Sequence, residues 1–264
     1  MSALRVHVEG VGLWSPALAD FAALRALLAG TTPAPPPARP PAATLPPNER
    51  RRAPESVLLA VEAAGQAVTM SGRDATTLAC VFASAHGDQA ITDYMCATLA
   101  QAPAELSPTR FHNSVHNAAV GYWTIASGCH APSTAVCAQR ASFGAGLLEA
   151  AAQALAEQRP VLLACSDIAG SGPLAEITGC RQSFGCALVL APQAGAATLA
   201  RLELGLQPGA ATDTPLPEPL AGWRDGNPSA ASLPLLAMLA GRGGRCTLAA
   251  ATGLGLQLDM EPVA

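Results

Sequence analysis

Apolar and polar positions along the chain fall into alternating strand-like and helix-like blocks. Residues 5–13 (RVHVEGVGL) place Val at every second position before turning wholly apolar, the period of a strand. A short helix is predicted over 21–28, with Gly30 closing it. Residues 55–70 carry Val57, Leu58, Val61, Ala64 and Val68 at helical spacing. The run 77–83 then reads as a buried strand that ends in the turn 84–88 (SAHGD). Helical spacing returns at 91–99 and, among small residues, at 114–126. Residues 133–138 predict a strand, 139–140 a polar turn, and 142–157 a strong helix around GAGLLEAAAQALA. Further strands are expected at 160–165, 184–190 and 197–206, a last helix at 232–239, and one or two closing strands within 246–259. Residues 108–111 read as loop. Proline-dense stretches at about 32–47 and 208–228 cannot sustain a helix or a central strand, and are expected as surface loops of one domain spanning 1–264.

Strands that are apolar throughout, separated by helices, suit a sheet covered on both faces. The expected class is therefore α/β, a layered sandwich with a mixed sheet.

Composition sharpens this picture. Half of the 264 residues are hydrophobic, 13% are charged and 4% are aromatic, so Ala, Leu, Val and Gly do most of the packing. A surface so poor in charge suggests that a partner subunit covers part of it. All fifteen basic residues are Arg, which excludes a lysine Schiff base and a lysine phosphate loop. They form no nucleic-acid-binding stripe; the one run, Arg50–Arg51–Arg52, reads as the solvated approach to a helix. Eight cysteines show no metal-type spacing and are expected mostly as buried thiols. No charged and apolar leader pattern opens the chain and no apolar run reaches the ~20 residues of a membrane span, so the expected location is the cytoplasm.

The block 108–150 resembles the ketosynthase segment that leads into the nucleophile. Its motif positions are Ser114, Val115, Asn117, Gly121, Ile125, Gly128 and Pro132, followed by a strand running into a helix. The 160–167 strand and Gly185–Leu190 (GCALVL) resemble the two family strands that come after the elbow, so the likeness spans most of residues 5–206. The resemblance implies a truncated thiolase-like fold. In that family an elbow holds a Cys at a helix N-terminus, where backbone N–H groups stabilise thiolate and oxyanion. An ungapped count from Pro132 puts that place on Arg140, and a one-residue gap puts it on Gln139, the amide that chain-length factors commonly carry there. Neither side chain can be acylated by a thioester. Condensation also needs imidazoles, which in the family follow the nucleophile, and this chain has no His beyond His130.

By this resemblance the chain is similar to the short chain-length-factor-like proteins of aryl polyene and xanthomonadin pigment systems. The implied function is a non-catalytic subunit that heterodimerises with a full-length ketosynthase, meets acyl carrier protein indirectly, and uses no cofactor or metal. The strand 133–138 and helix 114–126 are the implied interface. His112, Asn113, Val115, His116, Ala119 and Phe143 are the implied tunnel and interface residues; for His112 and His116, simple surface hydrogen bonding fits equally well. Arg140 is expected to turn away from the helix N-terminus or to find an acceptor. Two alternatives remain open at this point. One is an active acyltransferase or ketosynthase-like enzyme using Cys137, which strand alternation is expected to point into packed structure; the other is a homodimeric acyl-binding protein. Cys165 ends an apolar strand and is expected in the core, Asp167 is expected as a structural cap, and His86 as a turn residue.

Overall fold

The computed structural model describes residues 3–211, 214–241 and 243–263. In chain order the elements are β1 (Leu4–Trp14), α1 (Phe21–Leu28), α2 (Pro47–Arg52), α3 (Glu55–Ser71), β2 (Ala79–Ala83), α4 (Gln89–Gln101), α5 (Pro108–His112), α6 (Ala118–Ser127), β3 (Ser133–Val136), α7 (Ser142–Glu157), β4 (Val161–Asp167), α8 (Pro173–Thr178), β5 (Phe184–Ala191), β6 (Ala200–Pro208), α9 (Leu220–Gly226), α10 (Leu233–Ala240), β7 (Gly244–Ala251) and β8 (Leu254–Pro262).

All eight strands form one mixed sheet in the order β3-β2-β4-β5-β1-β6-β8-β7. β3, β2 and β4 run parallel, and every other neighbouring pair is antiparallel. The parallel group is where crossovers lie: β2 leads through α4–α6 to β3, and β3 through α7 to β4. β4 and β5 are buried at every position, which is why their sequences do not alternate. One core lies under α7, α1 and α10; the other lies between the opposite face and α3 with α6.

The packing of β1 on α3 depends on two missing side chains. A Cβ on Gly10 would lie 2.0 Å from the Ala67 carbonyl oxygen, and one on Gly12 would lie 1.9 Å from that of Ala63. Only glycine lets the two backbones approach this closely. The β1/β5 register shifts between Val8 and Gly10, leaving Glu9 at the irregularity. Its fully buried carboxylate is held by the Arg73 guanidinium through two hydrogen bonds of 2.7 Å. A buried carboxylate without such a partner would be strongly unfavourable.

Several expectations shift. Residues 108–111 fall in the short helix α5, capped by the Ser107 hydroxyl, rather than in a loop. The helix expected at 114–126 begins only at Ala118. Both proline-rich stretches are largely irregular, but the first runs into α2 and the second contains α9; residues 212 and 213 of the second lie outside the described residues. The helix α8 was not anticipated. Proline at the first turn of α2 and α8 costs no hydrogen bond, since those N–H groups have no helical partner anyway. No helix among the described residues is long and apolar enough to cross a membrane.

Candidate functional site: a strand-to-helix elbow without a thiol

β3 is one edge strand of the sheet, and after five intervening residues, 137–141, the chain enters α7. The sharpest point of this turn is Gln139, whose φ of 51° lies in the left-handed region that non-glycine residues avoid. Ser142, fully buried at the start of α7, locks the turn: its hydroxyl accepts from the Ala138 N–H at 3.0 Å and donates to the Gln139 carbonyl at 2.7 Å. Local hydrogen bonds thus offset the strain. The Gln139 side chain is exposed.

Arg140 finds acceptors, as expected of it. Its Nη2 donates to the carbonyl oxygens of Arg224 and Asp225, at 3.3 and 3.2 Å, in the last turn of α9. The guanidinium therefore ties the elbow to the C-terminal part of the chain. A cation suits the carbonyl end of a helix better than the N-terminus of α7.

Cys137 corrects the sequence-based expectation. The thiol is exposed, with Sγ donating to the Ala85 carbonyl at 3.4 Å. The cause is register on an edge strand: Ser133, Ala135 and Cys137 share the outward face, while Thr134 and Val136 turn inward. Its proton is spent on a carbonyl oxygen, and no imidazole hydrogen-bonds to the sulfur among the described residues. Cys165 is buried as expected, and burial, then Cys186 and Asp167, hold its thiol well above the ordinary range.

The tunnel candidates divide between two adjoining cavities. His112 and Val115 line an apolar cleft of about 430 Å³ between the start of α2 and α6, together with Leu45, Tyr122 and Ile125. Asn113, Val115, His116 and Ala119 line a chamber of about 30 Å³ whose other wall is Phe82, Ser84 and Asp88. That is room for no more than about two water molecules. Val115 and Ala118 border both cavities. Asn113 is buried and accepts from the Tyr122 hydroxyl at 3.2 Å, while His116 Nε2 meets the Ser84 carbonyl at 3.0 Å. Phe143 lies elsewhere: it is fully buried in the core beneath α7 and lines neither cavity. Around the cleft, Phe111, Val115 and Ile125 are exposed apolar side chains, Ile125 at 85%.

Asp167 proves to be more than an end cap. It is 1% exposed, and Oδ1 accepts from the Ser84 hydroxyl, the Ala85 N–H and the His86 N–H at 2.8, 2.9 and 3.1 Å. Oδ2 accepts from the Ser229 hydroxyl at 2.6 Å. Burial raises this carboxyl above its ordinary value, against the opposing pull of the Ser229, Ser84 and His86 hydrogen bonds. The Asp167 carbonyl also accepts from Asn227. Ser229 and Asn227 were invisible to sequence reasoning, because nothing in NPSA marks them as partners of a residue sixty positions earlier. No cluster of metal-ligating side chains occurs among the described residues.

Comparison with known proteins agrees with this architecture. The chain resembles the structure of the ketosynthase ApeO in complex with its chain length factor ApeC from Xenorhabdus doucetiae (TM-score 0.73, 24% identity, 97% of this chain and 99% of that one). It also resembles the ishigamide ketosynthase/chain length factor (TM-score 0.72, 17% identity, 99% and 100%). A third likeness is to AntDE:AntF, a type II acyl carrier protein in complex with its ketosynthase bound to the hexaketide (TM-score 0.74, 14% identity, 99% and 100%). At these identities the likeness shows a shared thiolase-like ketosynthase fold. A search of curated proteins finds no match. The family model for the beta-ketoacyl synthase N-terminal domain matches residues 25–218, well over half of the sequence, and the chain belongs to that family.

Proposed function

We propose that this protein is a non-catalytic, chain-length-factor-like subunit that pairs with an active ketosynthase and helps to shape the tunnel receiving the growing acyl chain. The observation that carries this reading is the elbow. The strained position between β3 and α7 holds an amide, Gln139, and the next residue is a guanidinium engaged with α9. An amide nitrogen is no nucleophile toward a thioester, and the sequence has no imidazole after His130 to stabilise the charge of a decarboxylative condensation. The structural likeness to ketosynthase/chain length factor complexes supports the same assignment.

The unpaired side of β3 and the exposed apolar residues Phe111, Val115 and Ile125 form the surface for the partner. An open strand edge beside exposed apolar side chains is a template on which another chain can pair. Co-expression with a full-length ketosynthase tests this: the two chains are expected to co-purify in equal amounts, and a homodimer that ignores the ketosynthase would refute it.

One observation favours a second reading, an enzyme that uses Cys137, namely the exposure of that thiol beside the elbow. Cys137→Ala separates the two. The subunit reading predicts product formation by the complex near the wild-type rate, and the enzyme reading predicts its loss.

A further inference from the structure

The turn Ser84–Ala85–His86 is gripped from two sides. On one side, Asp167 Oδ1 takes three of its donors, the Ser84 hydroxyl and the N–H groups of Ala85 and His86. On the other, its successive carbonyl oxygens receive side chains from two other segments: Ser84 O meets His116 Nε2 at 3.0 Å, and Ala85 O accepts from Cys137 Sγ at 3.4 Å. His116 lies just ahead of α6 and lines the small chamber, while Cys137 immediately follows the edge strand. The backbone adds one more tie, from the Ser84 N–H to the Val136 carbonyl at 3.2 Å.

Asp167 is itself fixed. Its Oδ2 holds Ser229, its own carbonyl holds Asn227, and Asn227 Oδ1 in turn accepts from the Ser229 N–H at 2.8 Å. No cation pairs with this carboxylate among the described residues; hydroxyl and amide donors satisfy it instead. A charged acceptor makes stronger and more directional hydrogen bonds than a neutral one. A purely structural need to fill this space would be met by an apolar residue at lower desolvation cost.

We propose that Asp167 is a positioning residue for the partner-facing edge. By fixing the turn 84–86 it sets where Cys137, at the end of the edge strand, and His116, on the chamber wall, stand relative to one another. The consequence for the ketosynthase interface rests on the subunit reading above; the consequence for Cys137 and His116 does not.

The test therefore has one arm on the chain alone and one with its partner. In the isolated chain, iodoacetamide labelling of Cys137 is followed by peptide mass spectrometry, with the exposed Cys96 as internal reference. Asp167→Ala frees the turn, and Cys137 is expected to label several-fold faster relative to Cys96, with far-ultraviolet circular dichroism unchanged. Asp167→Asn keeps an oxygen where Oδ1 stands and is expected to label at the wild-type ratio. In the second arm, affinity for the full-length ketosynthase is expected to fall roughly tenfold in Asp167→Ala, equivalent to about 1.4 kcal/mol, and to be retained in Asp167→Asn. Should Asp167→Ala fail to fold, Ser84→Ala removes one of the three bonds and is expected to move both readouts in the same direction. Unchanged labelling in a folded Asp167→Ala, or Asn behaving like Ala, overturns the positioning role. Faster labelling with unchanged affinity overturns its extension to the interface, and a wild-type chain that binds no ketosynthase instead refutes the subunit reading.

Discussion

Ser142 and Gln139 are joined across the elbow by a 2.7 Å hydrogen bond from hydroxyl to carbonyl, and the same hydroxyl accepts from the N–H of Ala138. A strained residue persists only where its surroundings over-determine it. Here the stabilising group comes from the first turn of the helix that follows. The chain thus retains a sharp strand-to-helix turn although its side chain there is an amide.

Ser142→Ala removes both bonds at a fully buried site and leaves the Ala138 N–H and the Gln139 carbonyl without that partner. The expected loss is about 1–3 kcal/mol, read as a lower urea midpoint with unchanged slope. A variant as stable as the wild type would show that the elbow holds its shape without this hydroxyl.

The Glu9 side chain is fully buried, whereas that of Arg73 is 41% exposed. Arg73→Ala strands the carboxylate and is expected to cost about 3 kcal/mol, the lower end for breaking a buried pair because the arginine is partly solvated. The double variant Glu9→Gln with Arg73→Ala should recover much of that loss in the same denaturation experiment, since no buried charge remains.

Of the eight cysteines, only Cys96 and Cys137 are exposed. Burial pushes the thiols of Cys80, Cys180, Cys186 and Cys246 up to about 12, in Cys80 with a further contribution from Cys129. A disulfide reagent at mildly alkaline pH is therefore expected to titrate two thiols in the native chain and eight after denaturation. Rapid native reaction of a third would contradict the assigned burial.

Asp167 gives the protein a pH dependence of defined sign. Its carboxyl is raised above 3.8 in the folded state, chiefly by burial, so folding binds its proton more tightly than the unfolded chain does. That contribution is fully present below the unfolded value and is lost as the pH climbs through the folded one. The Ser229, Ser84 and His86 hydrogen bonds oppose the shift, with the His86 ring a smaller contribution, while Cys165, Cys180 and Cys186 lie close enough to Asp167 to be raised by it in turn. As the pH rises above the ordinary carboxyl range the wild type should lose unfolding free energy relative to Asp167→Asn. Parallel curves for the two proteins would contradict the assignment.

Much of the fold was legible because burial writes itself plainly into composition. β5, apolar throughout, and β4, apolar from Val161 to Cys165, could only be buried strands, and Val57 to Val68 could only be one face of a helix against a sheet. The short helices α2, α8 and α9 escaped notice because proline near their starts reads as loop, while the few residues after it carry no periodicity. At the site, the elbow was legible as a turn, but its register was not. Residue type leaves a one-residue ambiguity between Gln139 and Arg140; the positive φ falls on Gln139, and the proposed reading places the vanished nucleophile there. Cys137 was misread because strand alternation states only that neighbouring side chains face opposite ways, not which face an edge strand leaves uncovered. The network around Asp167 joins positions 84–86, 167 and 227–229, and no local pattern links them.

The most direct test of the central claim is intact-mass analysis of both subunits during turnover, with the ketosynthase, acyl carrier protein and extender thioester present. The account predicts acyl adducts on the ketosynthase alone, and product only when both chains are supplied. An acyl adduct on any cysteine of this chain at the rate of turnover, or product formed without the ketosynthase, would contradict it.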